Sequence, residues 1–349
     1  MSTELIDRLV RDRRLARDEF ESLLSSATVA ERAYARDLAV AATRRQFGNR
    51  IYVRGLIEFS NHCRRDCLYC GLRRSNRAVE RYRLSPDDIL ASCAQGHAAG
   101  YRTFVLQSGE DARFTDDLTT ETVRRIRAAH PDCAITLSIG ERSRAAYQRF
   151  FDAGADRFLL RHETATSEHF ARLHPRSQTL ETRMRCLADL KEIGFQSGAG
   201  FMVGSPFQTL RNLAADLAFL AEFRPHMVGV GPFLPHRDTP FRGEPGGSVD
   251  LTLFLLSLIR LTLPTALIPA TTALSTARTG GWKLGIEAGA NVLMVNITPT
   301  AMRDKYLLYD NKTMGRPDVF EETAAVRERV ASIGYEIVVD RGDHQEETA

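Results

Sequence analysis

The chain has 349 residues, 43 % of them hydrophobic and 26 % charged, and its 47 basic and 44 acidic side chains leave a formal charge of only +3. That length holds one large α/β domain or two smaller ones around a core that needs no disulfide staples, and the balance of charge gives no reason to expect a polyanion as partner. The N-terminus has no apolar core with a small-residue cleavage site, and no stretch reaches about 18 uncharged apolar residues, so the expectation is a soluble cytoplasmic protein that engages neither nucleic acid nor membrane.

Residues 4 to 46 read as helices. Leu5, Leu9 and Val10 form one apolar patch, Ser26 or Thr28 can cap the longer segment, and Gly48 punctuates its end. From residue 51 onward strand-like runs alternate with helical patterns. The strands read as 51–60, 102–109, 133–140, 156–163, 196–204, 226–235, 266–272 and 291–296. The helices between them read as 85–100, with Ser85 as cap and Pro86 at the first position, then 115–130, 141–155, 179–195, 209–223, 250–264 and 276–290. Eight βα units in roughly 250 residues is the count and length of a (β/α)8 barrel, with a doubly wound open sheet as the competitor that periodicity alone does not exclude. After Pro299 come a helix around 321–334 and a short strand at 335–339. The expected organisation is an N-terminal helical extension over 1–48, the barrel over 49–298, and a C-terminal extension over 299–349 that closes it.

The six cysteines are unevenly spaced, which suggests metal or redox chemistry rather than a disulfide framework. Cys63, Cys67 and Cys70 follow the first strand in the spacing C-x3-C-x2-C, so one loop can wrap three thiolates around a common centre. Three ligands leave a coordination position open where a reactive group can bind. The competing structural reading is a zinc knuckle completed by His62 or a distant residue. Zinc runs usually come as two separated pairs, and no second pair exists here. Cys93, Cys133 and Cys186 lie singly and read as small core residues. The basic run "CGLRRSNRAVERYR" reads as a solvated loop that also offers counter-charge to an anionic centre.

With Tyr69 directly before Cys70, the cysteine run resembles the signature of the radical S-adenosylmethionine (SAM) superfamily. The resemblance implies that Cys63, Cys67 and Cys70 hold one 4Fe-4S cluster whose fourth iron binds SAM. Reductive cleavage of SAM would then give methionine and a 5'-deoxyadenosyl radical. "QSGED" resembles the family's glycine-glycine-glutamate segment, with Ser108 in place of the first glycine, and would use Ser108, Gly109 and Glu110 to hold the methionine ammonium. "GAGFMVGSPFQT" resembles the glycine-rich strand against the adenine, which adds Met202 to the cofactor contacts. "LLRHETAT" contributes Glu163, and Arg183 follows; these, with Ser138 and Tyr69, complete the implied SAM site.

Seven segments in order, "FSNHCRRDCLYCGLRRSN", "VLQSGED", "LSIGER", "RHETA", "GAGFMVG", "GPFLPHRDTP" and "IPATTA", are similar to the HydE branch, the FeFe-hydrogenase maturases, with methylornithine synthase (PylB) and biotin synthase as more distant relatives. That similarity implies a small-molecule substrate, a cysteine-bound iron carbonyl cyanide precursor of the di-iron subcluster, with HydG, HydF and an electron donor as partners. Thr136, Arg161, Thr271, Thr272, Met227, Met294 and Tyr306 would surround the substrate, the hydroxyls, Ser138 among them, and the arginine holding an amino acid carboxylate. Core packing is an equally good reading for both methionines. The stretch 309–326, where some members carry three further cysteines, has none, so one cluster per chain is expected. Two alternatives stay open: a radical SAM mutase of a free amino acid, and a zinc-binding scaffold.

Overall fold

The computed structural model describes residues 2–312 and 318–346. Ten strands follow in chain order: β1 Arg50–Ser60, β2 Thr103–Ser108, β3 Ala134–Ser138, β4 Arg157–Leu159, β5 Gln196–Ala199, β6 Met202–Val203, β7 Met227–Val228, β8 Gly231–Pro232, β9 Val292–Asn296 and β10 Glu336–Val338. Parallel pairing runs from β1 through β2, β3, β4 and β5 to β7, while β9 pairs β1 on its other side. Residues 267–269 close the remaining gap. Val228 N–H donates to Leu267 O at 3.1 Å, and Val292 N–H donates to Ile268 O at 3.2 Å. The βα units therefore form a closed (β/α)8 barrel and not an open sheet.

Three departures from the expected strands have local causes. The fifth and sixth runs each break in two, because Gly200 and Gly229 touch backbone to backbone. A Cβ on Gly200 would lie 2.0 Å from Gly229 O, so both chains bend there and their far ends, β6 and β8, pair separately. The seventh run makes only bridges, at Leu267 and Pro269, since proline has no N–H for a ladder. Its end is a helix start: the Thr271 hydroxyl accepts the Leu274 N–H and caps Thr272–Ala277. The predicted helix 276–290 is accordingly two short ones, Thr272–Ala277 and Gly281–Ile286, and a helix absent from the sequence reading, Ser167–Leu173, follows β4.

Capping elsewhere follows the residues expected. Thr28 accepts from Glu31 N–H at the start of Val29–Phe47, and Ser85 accepts from Asp88 N–H ahead of Pro86–Ala98. The N-terminal helices Ser2–Asp12, Arg17–Ser26 and Val29–Phe47 pack on the barrel's flank, against Leu210–Phe223 and Val249–Thr262. Ile6, Leu9, Phe20 and Leu23 are fully buried there. No helix among the described residues is long and apolar enough to cross a membrane.

The N-terminal ends of the strands are covered by the chain's own tail. Arg157, fully buried at the start of β4, donates to Arg341 O at 2.6 Å and pairs with Asp343 at 2.7 Å, while His344 N–H donates to Gln196 at 2.9 Å. With that end plugged, the C-terminal ends of the strands are left to carry the chemistry.

Candidate active site

β1 delivers the chain to the C-terminal rim at Ser60, and residues 61–80 form a loop without helix or strand. Its backbone is tied down by Leu68 N–H to Leu173 O and Gly71 N–H to Leu308 O, each 2.9 Å. Arg81 gathers four of the loop's carbonyls, donating to Leu72 at 2.9 Å, Arg73 at 2.8 Å, Asn76 at 3.1 Å and Asn61 at 2.5 Å. The loop's shape is thus set without any help from its cysteines. Gly109, at the end of β2, lies so close beneath it that a Cβ would meet Cys63 Cβ at 2.6 Å and His62 O at 2.4 Å.

Cys63, Cys67 and Cys70 are free and half-buried. Burial raises all three thiols. Cys67 lies well above its ordinary value, with the charges of Cys70 and Cys63 adding to burial, and Cys70 is pushed up to about 12 by burial and then by Cys63. Thiols that oppose one another's ionisation in this way become good ligands when a cationic centre sits among them. Three thiolates on one loop suit a multi-iron cluster in which each sulfur takes its own iron and one position stays open. Gln178, buried, faces the Cys67 sulfur at 3.4 Å with an amide that can turn its NH2 toward a thiolate.

A chain of ion pairs runs from this loop to the fourth strand. Arg64 and Arg65 donate to Glu110 at 2.9 and 2.7 Å, Arg65 also reaches Glu141 at 2.8 Å, and Glu141 pairs with Arg183 at 2.7 Å. Arg183 donates onward to Arg161 O at 2.5 Å, and Arg161 pairs with Glu163 at 2.7 Å. Burial alone would lower the Arg183 guanidinium, but the adjoining Glu141 carboxylate lifts it above its ordinary value. The Glu110 carboxylate also accepts Glu141 N–H at 3.1 Å, so both its oxygens are engaged by the protein. Ser108 turns its hydroxyl to Gly109 O at 2.7 Å. Arg183→Met should leave the buried Glu141 with Arg65 as its remaining cation and lower unfolding stability by ~1–3 kcal/mol in urea titrations, whereas loss of a mere surface pair would cost under ~1 kcal/mol.

Tyr69 reaches across to His174. Because His174 Nδ1 donates to Phe170 O at 3.0 Å, its Nε2 is the free acceptor for the Tyr69 hydroxyl at 3.2 Å. Burial holds the His174 ring neutral, down to about 3.

At the end of β4 the side chains alternate. Arg161 and Glu163 face the rim, and Glu163 is held at φ 65, in the left-handed region that side chains seldom adopt. His162 points the other way and is fully buried. Burial pulls it down to about 3, so the neutral ring accepts Gly200 N–H on Nδ1 at 3.2 Å and turns Nε2 toward Asp216 at 3.4 Å. Asp216, raised by burial, accepts Ala165 N–H at 2.5 Å. Glu163 N–H itself donates to Gly200 O at 3.0 Å, so the His162–Asp216 pair clamps the backbone on both sides of the strained residue. Burial disfavours the charged form of Asp216, and an amide oxygen accepts the Ala165 N–H as the carboxyl oxygen does, so Asp216→Asn should change stability by less than ~0.5 kcal/mol. Asp216→Ala, which leaves an unpartnered amide and ring nitrogen, should cost ~2–3 kcal/mol by the same titration.

The barrel lumen below holds donors with nothing to bond. Thr136 Oγ1, Arg161 Nε, and Arg54 Nε and Nη2 are buried and without partners, and Arg54 Nη1 rests on Met227 Sδ at 3.1 Å. Met227 packs with Tyr52, Leu267 and Val292, and Met294 stands opposite Arg54 in the β1–β9 register, so both methionines line the floor. Tyr306 is buried near Glu58 and Cys70. Met202 sits in β6 beside Phe233 and Tyr69, and half-buried Ser138 ends β3. Thr271 and Thr272 occupy the rim, but as cap and first residue of a helix; Thr271 lies against Gly231 and Thr272 bonds Tyr309 OH at 2.9 Å.

Arg54, Arg64, Arg65, Glu141, His174, Gln178, Asp216 and Tyr309 are not among the residues singled out in the sequence, and Arg81 is there only as part of the basic run. A charge in the middle of "IYVRGLIEF" is the available signal for Arg54, Arg64 and Arg65 lie inside the quoted cysteine segment and Glu141 inside the quoted "LSIGER"; the others have none. The cysteine-free stretch 309–326 includes residues 313–317, which lie outside the described residues.

A family model of the radical SAM superfamily matches residues 57–220. The [FeFe] hydrogenase maturase subunit HydE of Thermotoga maritima is 45% identical over 288 residues, covering 82% of this chain and 81% of that protein. The 3-methylornithine synthase of Methanosarcina acetivorans is 26% identical over 348 residues, covering 96% and 95%. The crystal structure of methylornithine synthase (PylB) superposes with a TM-score of 0.84 at 25% identity, over 96% of this chain and 97% of that one.

Proposed function

This chain belongs to the radical SAM superfamily, in its HydE branch, and from that membership we propose that it matures FeFe-hydrogenase by acting on a cysteine-bound iron carbonyl cyanide complex. The observation that carries the reading is the triplet of free cysteines on a preformed loop at the open end of the barrel. In this reading Cys63, Cys67 and Cys70 are the protein ligands of one 4Fe-4S cluster. When bound there, the cluster and SAM together supply a one-electron reductive cleavage that yields methionine and a 5'-deoxyadenosyl radical.

Each protein group has a task in that reading. The arginines around the loop, Arg64, Arg65 and Arg81, offset the negative charge that three thiolates bring. Glu110, through its pairs with Arg64 and Arg65, keeps the loop against the end of β2, while the backbone of Ser108 and Gly109 meets the methionine end of SAM. Glu163 and Ser138 face its polar groups, Arg183 orders them through Glu141, and Met202 and Tyr69 flank the adenine side. Below, Arg54, Arg161 and Thr136 offer unpartnered N–H and O–H groups to the substrate's carboxylate, with Thr271 and Thr272 above and Met227, Met294 and Tyr306 as apolar walls. The plugged N-terminal mouth keeps water from reaching the lumen by that route. HydG as source of the complex, HydF as recipient and a low-potential electron donor complete the proposal.

The lumen donors suit the carboxylate of a free amino acid equally well, which keeps the mutase as second reading; 45% against 26% identity supports the maturase. Anaerobic reconstitution tests the first half. About four irons per chain, with broad visible absorption and 5'-deoxyadenosine on reduction, is the expected result. Zinc held by the cysteine triplet in place of iron would overturn it. Turnover then separates the rest: consumption of the iron–cysteine complex supports the maturase, and isomerisation of a free amino acid without any iron complex selects the mutase.

A further inference from the structure

Two cysteines that the proposed chemistry leaves unused lie at the opposite end of the barrel from the cluster loop. Cys133 directly precedes β3, at the N-terminal rim, and the last turn of helix Pro86–Ala98 returns to that rim carrying His97. His97 Nε2 lies 3.2 Å from Asp132 Oδ1, and Cys133 Sγ lies 3.7 Å from the same oxygen; all three donor atoms fall within 4.8 Å of one another. The carboxylate is aimed. Arg102 holds its other oxygen, Oδ2, at 2.8 Å, with His97 Nε2 also 3.0 Å from it, and Oδ1 is the oxygen that faces the sulfur. The imidazole is aimed as well, since the His130 ring packs on it at 4.9 Å and is itself fixed edge-on against Phe104. Cys93, four residues before His97 on the same helix face, is buried within electrostatic reach of Cys133.

We infer that His97, Asp132 and Cys133 form a second metal site, separate from the cysteine triplet, for a divalent ion of zinc's class. Donor atoms around a tetrahedral zinc stand about 3.3–3.8 Å apart, given bonds of about 2.0 Å to nitrogen or oxygen and 2.3 Å to sulfur. The two spacings around Asp132 Oδ1, 3.2 and 3.7 Å, lie within about 0.2 Å of those such bonds require. One imidazole, one carboxylate and one thiolate make a borderline donor set. Calcium and magnesium want oxygen alone, and an iron–sulfur cluster wants more thiolates than this site has. Water or, after a change of rotamer, Cys93 fills the fourth position. Such an ion would pin the end of helix Pro86–Ala98 to the entrance of β3. The competing account is a plain His97–Asp132–Arg102 ion-pair group beside a buried thiol.

The two accounts part on metal content. Holoenzyme with its iron counted is equilibrated with micromolar Zn2+, and in parallel with Co2+, then dialysed and assayed for metal. The inference expects about one zinc per chain beyond the iron, a thiolate-to-cobalt charge-transfer band in the near ultraviolet, and a rise in melting temperature with added zinc. His97→Ala and Cys133→Ser should each weaken zinc binding at least tenfold and abolish the zinc-dependent rise, with SAM cleavage unchanged. His97 is partly exposed, so its replacement keeps the test alive should the buried Cys133→Ser protein fail to fold. Absence of bound zinc at micromolar concentration, or equal zinc in wild type and His97→Ala, overturns the inference.

Discussion

Cys67→Ala is expected to abolish iron incorporation and SAM cleavage together, the latter by more than ~10³-fold, while the barrel stays folded. The first half follows from ligand count: two thiolates on a loop do not hold a cluster that three hold with one iron open. The second half follows from what shapes the loop. Arg81 binds four of its carbonyls, and Leu68 and Gly71 tie its backbone to residues 173 and 308, all independent of the Cys67 sulfur. Cys67 is moreover only half-buried and stands outside the barrel, so trimming it to alanine should cost no more than ~1 kcal/mol. Iron analysis, 5'-deoxyadenosine release and a urea titration on the same preparation read all three. Retained SAM cleavage at wild-type rate would contradict the ligand assignment. Arg81→Met makes the complementary test, since it keeps every sulfur but frees the loop: cluster occupancy should fall and recover in part when reconstitution is prolonged.

What could be read from the chain, and what could not, divides along sequence distance. The βα rhythm and the caps at Thr28 and Ser85 are local, and the caps stand in the structure where their residues indicated; the cysteine spacing is local too and puts its three residues on the loop after β1. Closure of the barrel was not local, because it depends on a strand too short for a ladder, interrupted by Pro269 and completed by bridges to Met227 and Val292. Thr271 and Thr272 end a strand in the sequence pattern, although a threonine followed by "TALSTA" is also a helix cap; the two readings use the same residues, and only the bond to Leu274 N–H chooses. The charge relay is the clearest case. Arg65 and Glu141 are 76 residues apart and Glu141 and Arg183 are 42 apart, so nothing in either neighbourhood announces the pair. Arginine 54 differs: a lone cation inside an apolar strand had to be buried, and a buried guanidinium must find a partner or face a cavity. The sequence contained that warning, and the unpartnered nitrogens in the lumen are its outcome.

Arg161→Ala is expected to separate the two halves of the reaction. SAM cleavage in the absence of substrate should persist within a few-fold of wild type, and turnover of substrate should fall by ~10²–10⁴-fold, the range for losing a positioned charged contact. The asymmetry comes from where the groups of Arg161 point. Its backbone carbonyl receives Arg183, which the substitution leaves intact; its Nη2 meets Glu163; its Nε is buried without partner. Loss of the Glu163 contact is the one route by which SAM itself could be disturbed. Measuring SAM affinity alongside turnover closes that route: a drop in affinity as large as the drop in turnover would mean that Arg161 acts through Glu163, and would remove it from the substrate's contacts. Arg161→Lys sharpens the point. An ammonium keeps the charge beside Glu163 but loses the planar fork, so it should hold SAM as wild type does and restore little substrate turnover if the guanidinium grips a carboxylate with two N–H groups. Full rescue by lysine would mean that charge alone is required and that Arg54, with two free nitrogens deeper in the lumen, carries the directional contact.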